Sequence, residues 1–354
     1  MRIGNAITMV VLSLVAGMPV VALSAEKNPR EASRKLTLAW LASQQGKDGG
    51  WSFDVEKPEG KKAPRGAPFR SRTGATGLAL LVFLAHGQTH ERGEYKKNVA
   101  AGQKFLITTA RRDGKMFDLR GQGNRMRWHG VATLALVEAY AMTRNKATHE
   151  PAQSAIDFIT HMQDKKTGGW RDVADEPPSM TVTAWQVLAL KSAHEAYLLF
   201  DPETIKSMER FIDSVQSGEG AYYGESKSGK QPRATAAGLS CRGCMGWKLD
   251  RPAMKMGVNY LATKGSIKGD PEYNFFANLC LRQNGGPAWD RWYRKVHPLL
   301  SKAQQQVGPQ RGSWAMKDGK QGGRLFATTL IAWTLEAHSP SSVASWRERP
   351  RVSE

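Results

Sequence analysis

The chain has 354 residues, 40% hydrophobic and 8% aromatic, with 51 basic against 32 acidic side chains and a formal charge of +19. That length supports one large core or a closed ring, and the charge favours acidic partners such as anionic lipid, acidic glycan or nucleic acid over basic ones. Three cysteines, Cys241, Cys244 and Cys280, are too few for a disulfide framework, so stability must come from apolar packing.

At the N-terminus, Arg2 precedes an uncharged apolar run from Ala6 to Val21, and Ala22-Leu23-Ser24-Ala25 supplies small residues suited to cleavage. Residues 1–25 read as a signal peptide, which implies a secreted or periplasmic protein. An uncleaved anchor is the competing reading, and either leaves room for membrane association. No later run is long and apolar enough to span a bilayer.

Two kinds of segment then alternate. Six are apolar on nearly every face: Thr73–Gly87, His129–Thr143, Thr181–Ala193, Arg233–Gly246, Tyr273–Gln283 and Arg324–Glu336. They recur roughly every 50 residues, and a helix apolar all round is buried all round. Between them lie amphipathic segments, such as Ala152, Ala155, Ile156, Ile159 and Met162 on one face, or Ile205, Met208, Phe211, Ile212 and Val215. Asp201 before Pro202 and Asp270 before Pro271 are start signals. Gly46, Gly168, Gly246 and Gly265 read as helix ends.

One amphipathic helix per buried helix, six times over, gives stacked hairpins that can cover one another's apolar faces. The predicted fold is all-α, an (α/α)6 toroid over residues 26–338, with buried helices as the inner ring and a flexible tail at 339–354. An open solenoid is the alternative, but no polar capping repeat is visible.

The segment Leu41-Ala-Ser-Gln-Gln45-Gly-Lys-Asp-Gly49-Gly50-Trp51 resembles the Gln–Trp repeat of triterpene cyclases, as does Ile159 through Gln163 to Gly168-Gly169-Trp170. Weaker copies end at Tyr222 and Trp314. Inner segments such as Thr181-Val-Thr-Ala-Trp185-Gln186, Tyr273-Asn274-Phe-Phe-Ala277 and Gly322-Gly323-Arg324-Leu-Phe-Ala327-Thr328-Thr329 resemble secreted bacterial proteins with prenyltransferase and squalene-oxidase repeats. The likeness implies a ring of the terpenoid-cyclase and protein-prenyltransferase type with an isoprenoid or lipid ligand. It assigns no reaction.

The chemistry of the named enzymes is missing. A triterpene cyclase protonates an alkene with an unusually strong acid made from an Asp-x-Asp-Asp motif, in which a neighbouring carboxylate and a His tune the proton donor. None occurs here, and Asp172-Val-Ala-Asp175-Glu176 reads instead as a solvated turn. The Asp-Asp-x-x-Asp diphosphate motif and the Asp/Cys/His zinc set are also absent. No cofactor or metal is expected, and Cys241 and Cys244, three apart on one helix face, read as packing residues. Whether the chain is an enzyme is left open.

If the ring closes, the inner-helix N-termini converge on a funnel that favours an anionic or electron-rich ligand. Its candidate lining is Arg72, Thr73, Trp128, His129, Thr181, Arg233, Tyr273, Asn274, Arg324 and Phe326, with His129 the candidate acid or base. The stretch from Lys57 to Arg72, with Lys61, Lys62, Arg65 and Arg70, reads as a basic loop able to meet an anionic surface or glycan; no specific nucleic-acid motif is seen. Other readings are a non-catalytic binding module of the periplasm or cell surface, and a lyase for acidic polysaccharide.

Overall fold

A computed structural model describes residues 29–53, 71–315 and 322–336. The expected signal peptide, the tail and residues 57–70 of the basic loop lie outside them. The helices run α1 (Pro29–Ser43), α2 (Arg72–Ala85), α3 (Lys96–Thr109), α4 (Met126–Thr143), α5 (Lys146–His161), α6 (Met180–Glu195), α7 (Pro202–Ser214), α8 (Pro232–Cys244), α9 (Pro252–Lys264), α10 (Pro271–Asn284), α11 (Gly286–Lys302) and α12 (Gly323–Glu336). Two short antiparallel pairs, β1–β2 (Arg111–Asp113, Met116–Asp118) and β3–β4 (Gln216–Ser217, Tyr222–Tyr223), sit in connecting loops.

The even-numbered helices form a closed inner ring. Each packs on the next, α2 on α4 through to α10 on α12, and α12 returns to α2. Thirteen residues of α2, from Thr73 to Ala85, are buried, as the apolar sequence Gly-Leu-Ala-Leu-Leu-Val-Phe-Leu requires. The odd-numbered helices bury one stripe only; in α7 that stripe is Thr204, Met208, Phe211 and Ile212. Asp201 accepts from the Glu203 amide at 2.8 Å and Asp270 from the Tyr273 amide at 2.9 Å, so both start signals are real N-caps. Gly246 and Gly265 follow helix ends with positive φ, whereas Gly46 and Gly168 lie inside turns beyond the ends of α1 and α5.

The Gln–Trp motif is a staple with three parts. Trp51, Trp170 and Trp314 each donate from the indole to a carbonyl of the preceding outer helix, Leu41, Ile159 and Leu300, at 2.6–2.8 Å. Gln45, Gln163 and Gln304 each donate to the glycine carbonyl of their own turn and to the early part of another outer helix, at Asn98 of α3, Thr204 of α7 and Ser33 of α1. The glycine leaves room for this contact: Gly168 has φ +86°, and a Cβ there would lie 1.8 Å from the Ser207 carbonyl oxygen. The third part lies on the inner helix. The backbone N–H groups of Trp51, Leu119, Trp170, Tyr223, Ile267 and Trp314 donate to Thr76, His129, Thr183, Thr235, Asn274 and Thr328, one per inner helix, at 2.9–3.2 Å. The degenerate third copy therefore ends on Tyr223, not Tyr222: Tyr223 is fully buried and lies over Gly238.

Candidate functional site

The second residues of four inner helices, Arg127, Thr181, Arg233 and Glu272, meet where those helices begin. Arg127 Nη1 of α4 lies 3.5 Å from Glu272 Oε2 of α10, which faces it from the opposite side of the inner ring. Arg127 Nε also donates to Asp172 at 3.1 Å, and Arg125 donates to the same oxygen at 2.7 Å. Arg233 holds Asp270 at 2.8 Å and Glu272 at 3.6 Å. Glu225 accepts from Ser179 Oγ at 2.7 Å and from the backbone of Thr181 at 3.0 Å, with the Thr181 hydroxyl as a further donor.

Three arginines thus face four carboxylates, two of which, Asp172 and Glu272, have side chains only 5% exposed. Burial opposes the charge on Arg127, but Glu272 and Asp172 outweigh it and hold the guanidinium pKa above its ordinary value. The same balance, led by Glu272 and Asp270, holds for Arg233. Asp172 corrects the solvated-turn expectation: it accepts from the Arg127 amide at 3.1 Å and so caps α4, while Asp175 and Glu176 are exposed. A turn aspartate looks solvated in sequence because its arginine partners lie 45 and 47 residues away.

Beneath the charges the ring is packed with aromatics. Trp185 donates to Glu272 Oε1 at 2.8 Å and stacks on Phe275 at 5.4 Å, and Phe275 meets Trp333 at 4.5 Å. Trp185 and Trp333, on opposed helices, are 6.3 Å apart. A second group lies to one side of the charges: Phe53 sits 5.0 Å from Trp128 and 6.0 Å from Phe326, and Trp128 meets Phe326 edge-on at 6.3 Å. Trp128 lies across Gly74 of α2, where a Cβ would fall 2.6 Å from the indole.

The expected lining therefore separates. Trp128, Thr181, Arg233 and Phe326 join the charged and aromatic groups just described. Arg72 points to the outer layer, where it grips Asp48 through two bonds of 2.6 and 2.7 Å and covers Phe105. Thr73 shares a bond of 2.7 Å with Ser71. Tyr273 donates to the Gly265 carbonyl at 3.0 Å and packs on Trp292. Arg324 donates to Ser313 at 3.1 Å. His129 and Asn274 are staple acceptors. His129 is fully buried; Nδ1 accepts from Leu119, Nε2 lies 3.0 Å from the Ala155 carbonyl, and burial pushes its pKa down to about 4. Arg127, Glu225 and Glu272 were missed; their only sequence signal is their shared place at helix starts or in the loop before one.

The three cysteines are free, with Cys241 and Cys280 buried. Among the described residues no group of three or more His, Cys, Asp or Glu side chains is placed to hold a metal ion, and no helix is long and apolar enough to cross a membrane.

No family model and no curated protein matches the chain. Solved structures do. The type II terpene cyclase MstE from Scytonema aligns with a TM-score of 0.59 at 14% identity, over 90% of this chain and 98% of its own. Cellobiose 2-epimerase from Bacillus thermoamylovorans B4167 gives 0.61 at 13%, over 87% and 97%. A family 76 glycoside hydrolase from a bovine Bacteroides thetaiotaomicron strain gives 0.61 at 10%, over 90% and 78%. A variant of MstE was solved with geranylgeranyl dihydroxybenzoate. At these identities the likeness establishes the shared α/α-toroid fold.

Proposed function

We propose that the protein binds an isoprenoid-type amphiphile at the start of its inner helices, as a secreted or periplasmic protein. The carrying observation is that the two halves of this end differ. One half presents Phe53, Trp128 and Phe326; the other presents Arg127, Arg233 and their carboxylates. A ligand with an apolar tail and a polar head matches both halves: the tail inserts among the buried rings, and the head draws on the arginines. The MstE complex supports the reading, since its ligand joins a geranylgeranyl chain to a polar head.

The Asp-x-Asp-Asp acid is lacking, so the reading is binding, with no reaction assigned. Native mass spectrometry with lipid extraction tests it. A co-purifying isoprenoid that is lost in Trp128→Ala supports the proposal; a protein that stays empty when offered geranylgeraniol and squalene sinks it.

A second reading is a neutral or acidic saccharide. It is favoured by the three arginines, Arg125, Arg127 and Arg233, which can meet an acidic group, set among four carboxylates, Asp172, Glu225, Asp270 and Glu272, which can accept from sugar hydroxyls, and by the saccharide-acting proteins that share the fold. Salt-sensitive glycan binding that leaves lipid uptake at zero would favour it.

A further inference from the structure

A separate cavity of about 640 Å³ opens between α1 and α11. Its floor is formed by His86, just past α2, and Glu336, the last residue of α12; their side chains are 6% and 5% exposed. Glu336 Oε1 is doubly used, by Arg34 Nε at 2.6 Å and by His86 Nε2 at 3.3 Å. Its other oxygen, Oε2, is buried with no hydrogen-bond partner. A buried carboxylate oxygen without a donor is unfavourable, so this atom marks a place for a donor.

His86 Nδ1 lies 2.7 Å from the Val82 carbonyl, which can only accept. Nε2 faces the carboxylate, also an acceptor. Arg34 and Glu336 offset one another's charge across their 2.6 Å contact. Arg294, exposed on α11, and Arg30 add positive charge around the cavity, and Ala332 and Leu335 give an apolar wall.

We propose that this cavity is a second ligand site, for a hydroxylated organic acid of monosaccharide size. A ligand hydroxyl donates to Glu336 Oε2, its carboxylate meets Arg294 and Arg34, and its apolar edge lies on Ala332 and Leu335. A simple anion fails because it repels Oε2, and a neutral sugar fails because it leaves the arginines without a counter-charge.

Calorimetric titration of the full chain with D-glucuronate, D-glucose and sulfate tests this. Glucuronate is expected to bind, with glucose and sulfate weaker. Arg294→Ser, an exposed change that leaves the floor intact, is expected to weaken glucuronate by about tenfold, one charge-assisted contact. Glu336→Gln is expected to weaken it with its melting temperature monitored, and Trp128→Ala to leave it unchanged, which separates this site from the one at the inner-helix starts. Sulfate binding as tightly as glucuronate, full affinity in Arg294→Ser, or no saturable binding at millimolar glucuronate would each overturn the proposal.

Discussion

The backbone N–H of Leu119 donates to His129 Nδ1 at 3.1 Å, the same bond that Trp51 makes to Thr76 and Ile267 to Asn274. His129 is thus one of six equivalent acceptors that tie each incoming loop to an inner helix. Its partner is backbone, so what the position needs is an acceptor of suitable reach. His129→Asn, the solution already used by Asn274, should retain most of the stability. His129→Ala leaves a buried N–H unpaired and should cost about 1–3 kcal/mol. Chemical denaturation of the two variants checks this, and an alanine variant as stable as the parent would refute the staple.

The same residue should make the fold acid-sensitive. The His129 pKa falls from 6.5 to about 4 through burial, only partly offset by its bond to Ala155. The unfolded chain therefore takes up a proton at higher pH than the folded chain does. The stability from neutral His129 is whole above pH 6.5 and is lost as pH falls towards 4, by up to about 3 kcal/mol. Thermal melts between pH 4 and 7 should show a shallower acid slope in His129→Asn; parallel slopes would remove His129 as the cause.

The ring was legible in sequence because its signals are local and repeated: all-round apolarity for six helices, Asp201 and Asp270 as caps, and three Trp residues after Gln and Gly. The site was legible only in part. Trp128 and Phe326 announce themselves by size, but Arg127, Glu225 and Glu272 acquire meaning from partners in other repeats. Arg127 and Glu272 are 145 positions apart in the chain and 3.5 Å apart in space. His129 was singled out for its chemistry, when its neighbour in the loop, not its ring, explains its presence. Ring closure likewise rests on a long-range contact that no local pattern contains.

That contact gives a third expectation. Gln304 donates to the Ser33 carbonyl at 3.0 Å and so joins the last repeat to the first, across 271 residues. Its counterparts Gln45 and Gln163 join other outer helices. Gln304→Ala should cost about 1–2 kcal/mol, as one multiply bonded amide. Its effect should also be local: hydrogen exchange should rise in α1 and α11 before it rises in α6 or α8. Uniform exchange across all helices would show that the seam is not a separate weak point.

The bridge between Arg127 and Glu272 holds the two sides of the ring together at their N-terminal ends, and its energetics are asymmetric. Removing one partner takes compensation from the other, whereas removing both leaves neither charge behind. Glu272 also serves Arg233 and the Trp185 indole; in Glu272→Ala, Arg127 keeps Asp172 and Arg233 keeps Asp270, while the buried Trp185 indole loses its acceptor, so the change should cost about 1–3 kcal/mol. Arg127→Met frees Asp172 as well as Glu272, but Arg125 and Arg233 remain to pair them, so its cost should be smaller. In the double variant Arg127→Met, Glu272→Met the cost should fall below the sum of the singles, because neither charge is left to be compensated by the other. A double-mutant cycle by denaturation measures this coupling. Additive costs would show that the two charges, 3.5 Å apart, act on the fold independently.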